Sequence, residues 1–68
     1  MNPASEKLGQ NMKRIRAKKE MSQGDIARIL DVHRSYISGL ERGRRNPSLL
    51  TVQKVAKALG VGIEKLLK

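Results

Sequence analysis

Apolar residues recur along the chain at the spacing of a helix, and no stretch shows the alternation that is typical of a strand. Two sets of apolar residues at this spacing each predict a helix: Leu8, Met12 and Ile15 near the start, and Val52, Val55, Ala56 and Leu59 further on. Asn2 and Pro3 suit the start of the first helix, because proline is tolerated in a first turn, and its pattern ends near residues 19–21. Gly60 predicts the end of the later helix.

Two shorter helices are predicted between these two helices. The sequence SQGD at residues 22–25 matches a capping box, in which the serine and the aspartate satisfy free backbone N–H groups at a helix start. The helix that follows has Ile26, Ile29 and Leu30 on its apolar face. We expect it to end at Asp31, since aspartate tolerates the left-handed conformation that ends a helix.

The third predicted helix spans about residues 33–42, with Ile37 and Leu40 on its apolar face. The positions that point the other way are Ser35, Ser38, Gly39 and Arg42. Glycine, asparagine and proline in residues 43–48 predict a loop. The last predicted helix is short and contains Ile63, Leu66 and Leu67.

This pattern predicts an all-α fold of five helices, and the length of 68 residues allows a single domain over the whole chain. There are 15 Lys and Arg against 6 Asp and Glu, a formal net charge of +9, which attracts polyanions. Tyr36 is the one aromatic residue. This composition argues against modules that stack bases on several aromatic rings.

The composition also argues against several kinds of chemistry. The absence of cysteine excludes disulfides, thiolate catalysis and cysteine-based zinc sites, and His33 is the single histidine. Because no nucleophile–base pair, carboxylate pair or metal set is present, we expect no enzyme, no cofactor and no small-molecule ligand. The apolar runs are too short to span a membrane. We expect a cytoplasmic protein, associated with the nucleoid if DNA is its partner.

The second and third predicted helices are joined by about three residues, 31–33. This is the spacing of a helix-turn-helix, here at about residues 22–42, whose second helix enters the major groove. Together with the positive charge, it favours a sequence-specific transcriptional regulator that binds double-stranded DNA. The alternative is an antitoxin-like or adaptor module, because an acidic protein partner would also match the charge.

The run from Met21 to Leu59 resembles the phage-repressor/Cro-like (Xre-type) helix-turn-helix family, above all in the fragments SQGDIA, SYISGLERGRRNPS and VAKALGV. The resemblance extends over about residues 7–67. Within the family, the chain is similar to the small controller proteins of restriction–modification operons. The resemblance implies a compact lambda-repressor-like fold that binds a palindromic operator as a homodimer, through a recognition helix at residues 33–42.

Site residues follow from this resemblance. Positions that match base contacts are Arg34, Ser35, Tyr36, Ser38 and Gly39. Positions that match contacts to the DNA phosphates are Gln23, Arg42, Arg44, Arg45 and Asn46. Arg16 and Glu41 match a partly buried ion pair that ties the first helix to the third.

The residue types bear on these roles. Arg34 is our first choice for base recognition, because a bidentate arginine–guanine contact is the commonest specific one; a phosphate contact is the alternative. Lys13 and the arginines after the recognition helix either contact phosphates or form a solvated basic face, and their clustering favours phosphates. Tyr36 either contacts DNA or packs its ring on the edge of the domain. His33 is expected to cap the third helix or to touch the DNA backbone.

The chain departs from the family pattern at Asp31, where glycine is usual, and at Gly62, where a capping serine or threonine is usual. Gly39 places no side chain at a position that often contacts a base, so recognition there would rest on backbone fit or methyl contact. The apolar residues near the C-terminus exceed what a small core needs. We expect a dimer interface formed by Ile63, Leu66, Leu67 and Leu50, with core packing as the alternative.

Overall fold

The computed structural model describes residues 3–68 and contains five helices. They are α1 (Pro3–Lys18), α2 (Gln23–Leu30), α3 (Arg34–Glu41), α4 (Leu49–Leu59) and α5 (Glu64–Leu67). Residues 3–68 include no strand, so the predicted all-α fold of five helices is confirmed. The start of the first helix expected at Asn2 lies outside the described residues.

The helices begin and end where their local sequence provides hydrogen bonds. At α2, Ser22 Oγ accepts from the backbone N–H of Asp25, and the Asp25 carboxylate accepts from the backbone N–H of Ser22, which confirms the capping box. Asp31 ends α2 in the left-handed conformation, at φ 57°. Ser48 caps α4 through Thr51, and Gly60 ends it at φ 71°.

The core lies where the five helices bring their apolar residues together. Its fully buried side chains are Met12, Ile26, Ile37, Leu40, Val55 and Leu66. Ile29 was predicted to belong to the apolar face of α2, but 58% of its surface is exposed. Ile29 is therefore not part of the core, because it lines an open depression between α2 and α4 together with Leu30 and Ala58.

Helix α5 is short, and hydrogen bonds from α1 stabilise its position. Its first residue is preceded by Ile63, which makes no side-chain capping bond, as the glycine at position 62 led us to expect. The other end of α5 is bound by Asn11 of α1, whose buried Nδ2 donates to the carbonyl oxygens of Leu66 at 2.8 Å and of Lys68 at 3.2 Å. The position of α5 therefore depends on α1.

This attachment corrects one predicted interface residue. Leu66 was expected at a dimer interface, but its side chain is completely buried, so it belongs to the core. Leu67 next to it is 57% exposed. A single helical turn sends neighbouring side chains in directions about 100° apart, so only one of the two can face the core.

Helices α1 and α3 approach closely at Gly9. A Cβ atom at this position would overlap the backbone carbonyl oxygens of Leu40 and Glu41. The absence of a side chain at Gly9 thus lets α1 lie against the end of the third helix. Within residues 3–68, no helix is long and apolar enough to cross a membrane.

Candidate nucleic-acid interface

Helices α2 and α3 form a helix-turn-helix. The turn consists of residues 31–33, and the backbone N–H of Val32 donates to the carbonyl oxygen of Ala27 at 3.0 Å. Ala27 is small and buried on α2, and Ile37 of α3 is completely buried. These contacts fix α3 against α2, and the opposite side of α3 faces away from α2.

The predicted ion pair between Arg16 and Glu41 is present. Arg16 Nε lies 2.6 Å from Glu41 Oε2, and Arg16 Nη2 donates to Glu41 Oε1 at 3.0 Å. Only 3% of the Glu41 side chain and 15% of the Arg16 side chain are exposed. The hydrogen bond to the carboxylate raises the pKa of Arg16 above its ordinary value, so its guanidinium group stays charged.

The same carboxylate orients Gln23, the first residue of α2. Gln23 Nε2 donates to Glu41 Oε1 at 3.1 Å, and the side chain is half-buried. An amide nitrogen carries two hydrogens, so one N–H remains for a further acceptor. Glu41 therefore links α1, α3 and the start of α2, where free backbone N–H groups favour an anion.

The predicted base-contacting residues share the outer side of α3. Arg34 and Ser35 are exposed at its start, whereas Tyr36, Ser38 and Gly39 are half-buried. His33 occupies the capping position but makes no side-chain capping hydrogen bond, so the expected cap by His33 is not formed.

The loop after α3 carries the predicted phosphate-contacting residues. Arg42, Arg44, Arg45 and Asn46 are all exposed. Gly43 turns the chain at φ 72°, and the backbone N–H of Arg44 donates to the carbonyl oxygen of Gly39 at 2.9 Å. The loop is thereby folded back beside α3. Lys13 is also exposed and lies on α1 between Gly9 and Arg16, two positions where α1 contacts α3.

A contact that the sequence did not predict connects this loop to α3. The guanidinium carbon of Arg45 lies 5.6 Å from the centre of the Tyr36 ring, within the range of a cation–π interaction. The Tyr36 ring also packs against the edge of the core. The alternative prediction for Tyr36, that its ring packs on the edge of the domain, therefore describes the position of the ring.

A family model described as Helix-turn-helix matches residues 12–66, which include the ion pair, the turn and the loop after α3. The chain belongs to this family. It is 50% identical over 61 residues to Control protein C.BamHI of Bacillus amyloliquefaciens, a match that covers 88% of this chain and 75% of that protein.

Solved structures of helix-turn-helix proteins agree with the fold. The restriction-modification controller protein C.AhdI from Aeromonas hydrophila superposes with a TM-score of 0.86 at 39% identity, over 91% of this chain and 94% of its own. C.Esp1396I, another such controller protein, superposes with a TM-score of 0.84 at 32% identity, over 100% of both chains. That structure is a tetramer in complex with its natural 35 base-pair operator.

The predicted dimer-interface residues differ in how much of each side chain is exposed. Leu50 and Leu67 are 60% and 57% exposed, and Ile63 is half-buried. Leu67 also lines a shallow depression of about 130 Å³ together with Pro47 of the loop before α4. Leu49, 63% exposed, adds to the apolar surface at the start of α4.

Proposed function

We propose that this chain is a sequence-specific regulator of transcription that binds a palindromic double-stranded DNA operator as a homodimer. The observation that carries the proposal is the helix-turn-helix of α2 and α3, whose outer side is polar and free of acidic residues from Arg34 to Leu40. The controller proteins to which the chain is similar support it, and one of them is described in complex with its operator. No enzymatic role is proposed.

In this proposal α3 lies in the major groove and α2 lies across the DNA backbone. Arg34, exposed at the start of α3, reaches a guanine with its planar guanidinium group. Ser35, Tyr36 and Ser38 supply hydroxyl groups on the same side of the helix.

Phosphate contacts come from both ends of this unit. Gln23, fixed by Glu41, keeps one amide hydrogen for a phosphate beside the N-terminus of α2. Arg42, Arg44 and Asn46 contact the DNA backbone beyond the other end of α3. Lys13 adds positive charge where α1 meets α3.

The dimer would form through Leu50, Ile63 and Leu67, the predicted interface residues that keep exposed surface. A two-fold pairing places the two recognition helices about 34 Å apart, on half-sites one helical turn from each other. Occupancy of the operator would then be set by the concentration of the dimer. Sedimentation that detects only monomer at high micromolar concentration contradicts this part of the proposal.

Binding measurements with arginine variants test the proposal. We expect Arg34→Ala to cost about 1–3 kcal/mol on a duplex selected by the protein and little on random duplex DNA. Arg44→Ala is the matched control: it should weaken both duplexes equally and lower the slope of log K against log salt by about one. Equal losses for Arg34→Ala on both duplexes would move it to the phosphate class. If the parent protein binds no duplex and only a protein partner, the antitoxin-like or adaptor function replaces this one.

A further inference from the structure

The side chain of Arg45 crosses the outer side of α3 at Gly39. A Cβ atom built on Gly39 would lie 3.2 Å from Arg45 Cγ, 3.3 Å from Nε and 3.8 Å from Cδ. The stem of Arg45 therefore passes over Gly39, and its guanidinium group continues to the ring of Tyr36. We call Tyr36, Gly39 and Arg45 the arginine seat.

The seat occupies the centre of the recognition surface. Gly39 follows Ser35 by one turn and precedes Arg42 by three residues, so the three positions share one side of α3. A partner that approaches this side at position 39 meets Arg45 before it meets the helix backbone. The loop geometry maintains this arrangement, because Arg44 donates its backbone N–H to the carbonyl oxygen of Gly39 at 2.9 Å.

We propose that Arg45 contacts base edges in the major groove, and that Gly39 determines specificity by leaving room for the Arg45 side chain. The proposal rests on the proposed function, and it reassigns Arg45 from the phosphate contacts. It also gives position 39 a role that needs neither backbone fit nor methyl contact: the side chain that contacts DNA there comes from the loop.

The chemistry of the seat suits this role. The guanidinium carbon of Arg45 lies 5.6 Å from the centre of the Tyr36 ring, and the planar group presents N–H donors in pairs that match O6 and N7 of guanine. A side chain already held across the helix loses less conformational freedom on binding than a free surface arginine. At 3.2–3.3 Å, a Cβ at position 39 would press on a flexible side chain and not on backbone, so a larger residue there displaces Arg45 while α3 stays intact.

Three variants test the proposal on a duplex that the parent protein selects from random DNA. Binding of Gly39→Ala, Arg45→Ala and the double variant is measured on this duplex and on a panel in which each base pair is replaced in turn. We expect Arg45→Ala to lose about tenfold or more in affinity and to relax the preference at one base pair. Gly39→Ala should lose less and relax the preference at the same base pair, because its Cβ requires the Arg45 side chain to shift. The double variant should bind within about twofold of Arg45→Ala, because the second change removes nothing further.

The panel also separates the alternatives. Arg44→Ala, from the same loop, is the control and should weaken every duplex alike. If Arg45→Ala does the same, Arg45 is a phosphate contact and the proposal is overturned. It is also overturned if Gly39→Ala keeps the affinity and base preferences of the parent, or if the losses of the two single variants add.

Side-chain NMR of the free protein tests the seat without DNA. In the parent, NOE cross-peaks should connect the methylene protons of Arg45 with the Hα protons of Gly39, which the close approach of the two residues requires. The cross-peaks should persist in Tyr36→Phe and weaken in Tyr36→Leu. Absence of these cross-peaks in the parent overturns the seat. Gly39→Ala should not lower the melting temperature, since alanine favours a helix more than glycine does. A parent protein that selects no sequence contradicts the proposed function, whereas the NMR result depends only on the seat.

Discussion

Replacement of Glu41 by alanine should remove a large part of the stability of the domain. The carboxylate accepts hydrogen bonds from Arg16 Nε at 2.6 Å, from Arg16 Nη2 at 3.0 Å and from Gln23 Nε2 at 3.1 Å. Without the carboxylate, Arg16, whose side chain is 15% exposed, keeps its hydrogen bond to the carbonyl oxygen of Met21 but loses both acceptors on Glu41. Breaking a buried pair by removing one partner costs about 3–5 kcal/mol.

This cost is large for a chain of this length. Globular proteins have about 0.05–0.15 kcal/mol of stability per residue, so 68 residues correspond to about 3–10 kcal/mol in total. Urea unfolding, followed by the helical circular-dichroism signal at 222 nm, measures the free energy of unfolding of parent and variant. We expect Glu41→Ala to be marginally folded at 25 °C or partly unfolded before urea is added.

The exposed ion pair between Arg28 and Asp25 provides a matched control. The Arg28 side chain is 75% exposed and that of Asp25 is 39% exposed, so Arg28→Ala should leave the unfolding midpoint nearly unchanged. Replacing both buried partners, as in Arg16→Met with Glu41→Leu, should restore much of the stability that Glu41→Ala loses, because no charge then remains buried. A loss below about 1 kcal/mol for Glu41→Ala, within the range of exposed pairs, would refute this reasoning.

Three further predictions concern stability. Gly9→Ala should cost about 1–3 kcal/mol in chemical unfolding, because its Cβ meets backbone carbonyls, whereas Gly24→Ala, whose Cβ has ordinary contacts, should not destabilise; equal effects would contradict the close approach of α1 and α3. Leu66→Ala should cost about 2–5 kcal/mol and Leu67→Ala far less in the same assay, and the reverse order would return Leu66 to the surface. The hydrogen bond from the backbone N–H of Ser22 lowers the pKa of Asp25 in the folded protein. The ionised carboxylate therefore stabilises the fold fully above the unfolded pKa, and this effect is lost as the pH falls through the folded pKa. Asp25→Asn should flatten the fall in melting temperature below about pH 4, and an unchanged profile would contradict this.

The ends of the helices could be predicted because they depend on neighbouring residues. The capping box at residues 22–25, the left-handed Asp31 and the stop at Gly60 each involve bonds within a few positions of the chain. The helix-turn-helix followed from the short spacing between two such helices. The ion pair of Arg16 and Glu41 joins distant positions, and the resemblance to a known family supplied it.

Features that depend on packing between distant helices could not be predicted in this way. Leu66 and Leu67 have the same side chain, and only the attachment of α5 to Asn11 decides which one is buried. Ile29 lies on the apolar side of α2 by spacing, yet no neighbouring helix covers most of it. The position of Arg45 depends on a loop that returns to α3, although a glycine in a recognition helix with an arginine six residues later was a signal for it.

Selection of bound duplexes from random DNA by the full chain tests the central claim most directly. We expect enrichment of a palindromic sequence whose two half-sites have centres about 10 base pairs apart, one helical turn, as two recognition helices of a symmetric dimer require. Such a result would identify the operator, the symmetry and the half-site spacing in one experiment. Recovery of sequences with no common pattern, from a protein that sediments as a folded species, would contradict the claim that this chain is a sequence-specific regulator.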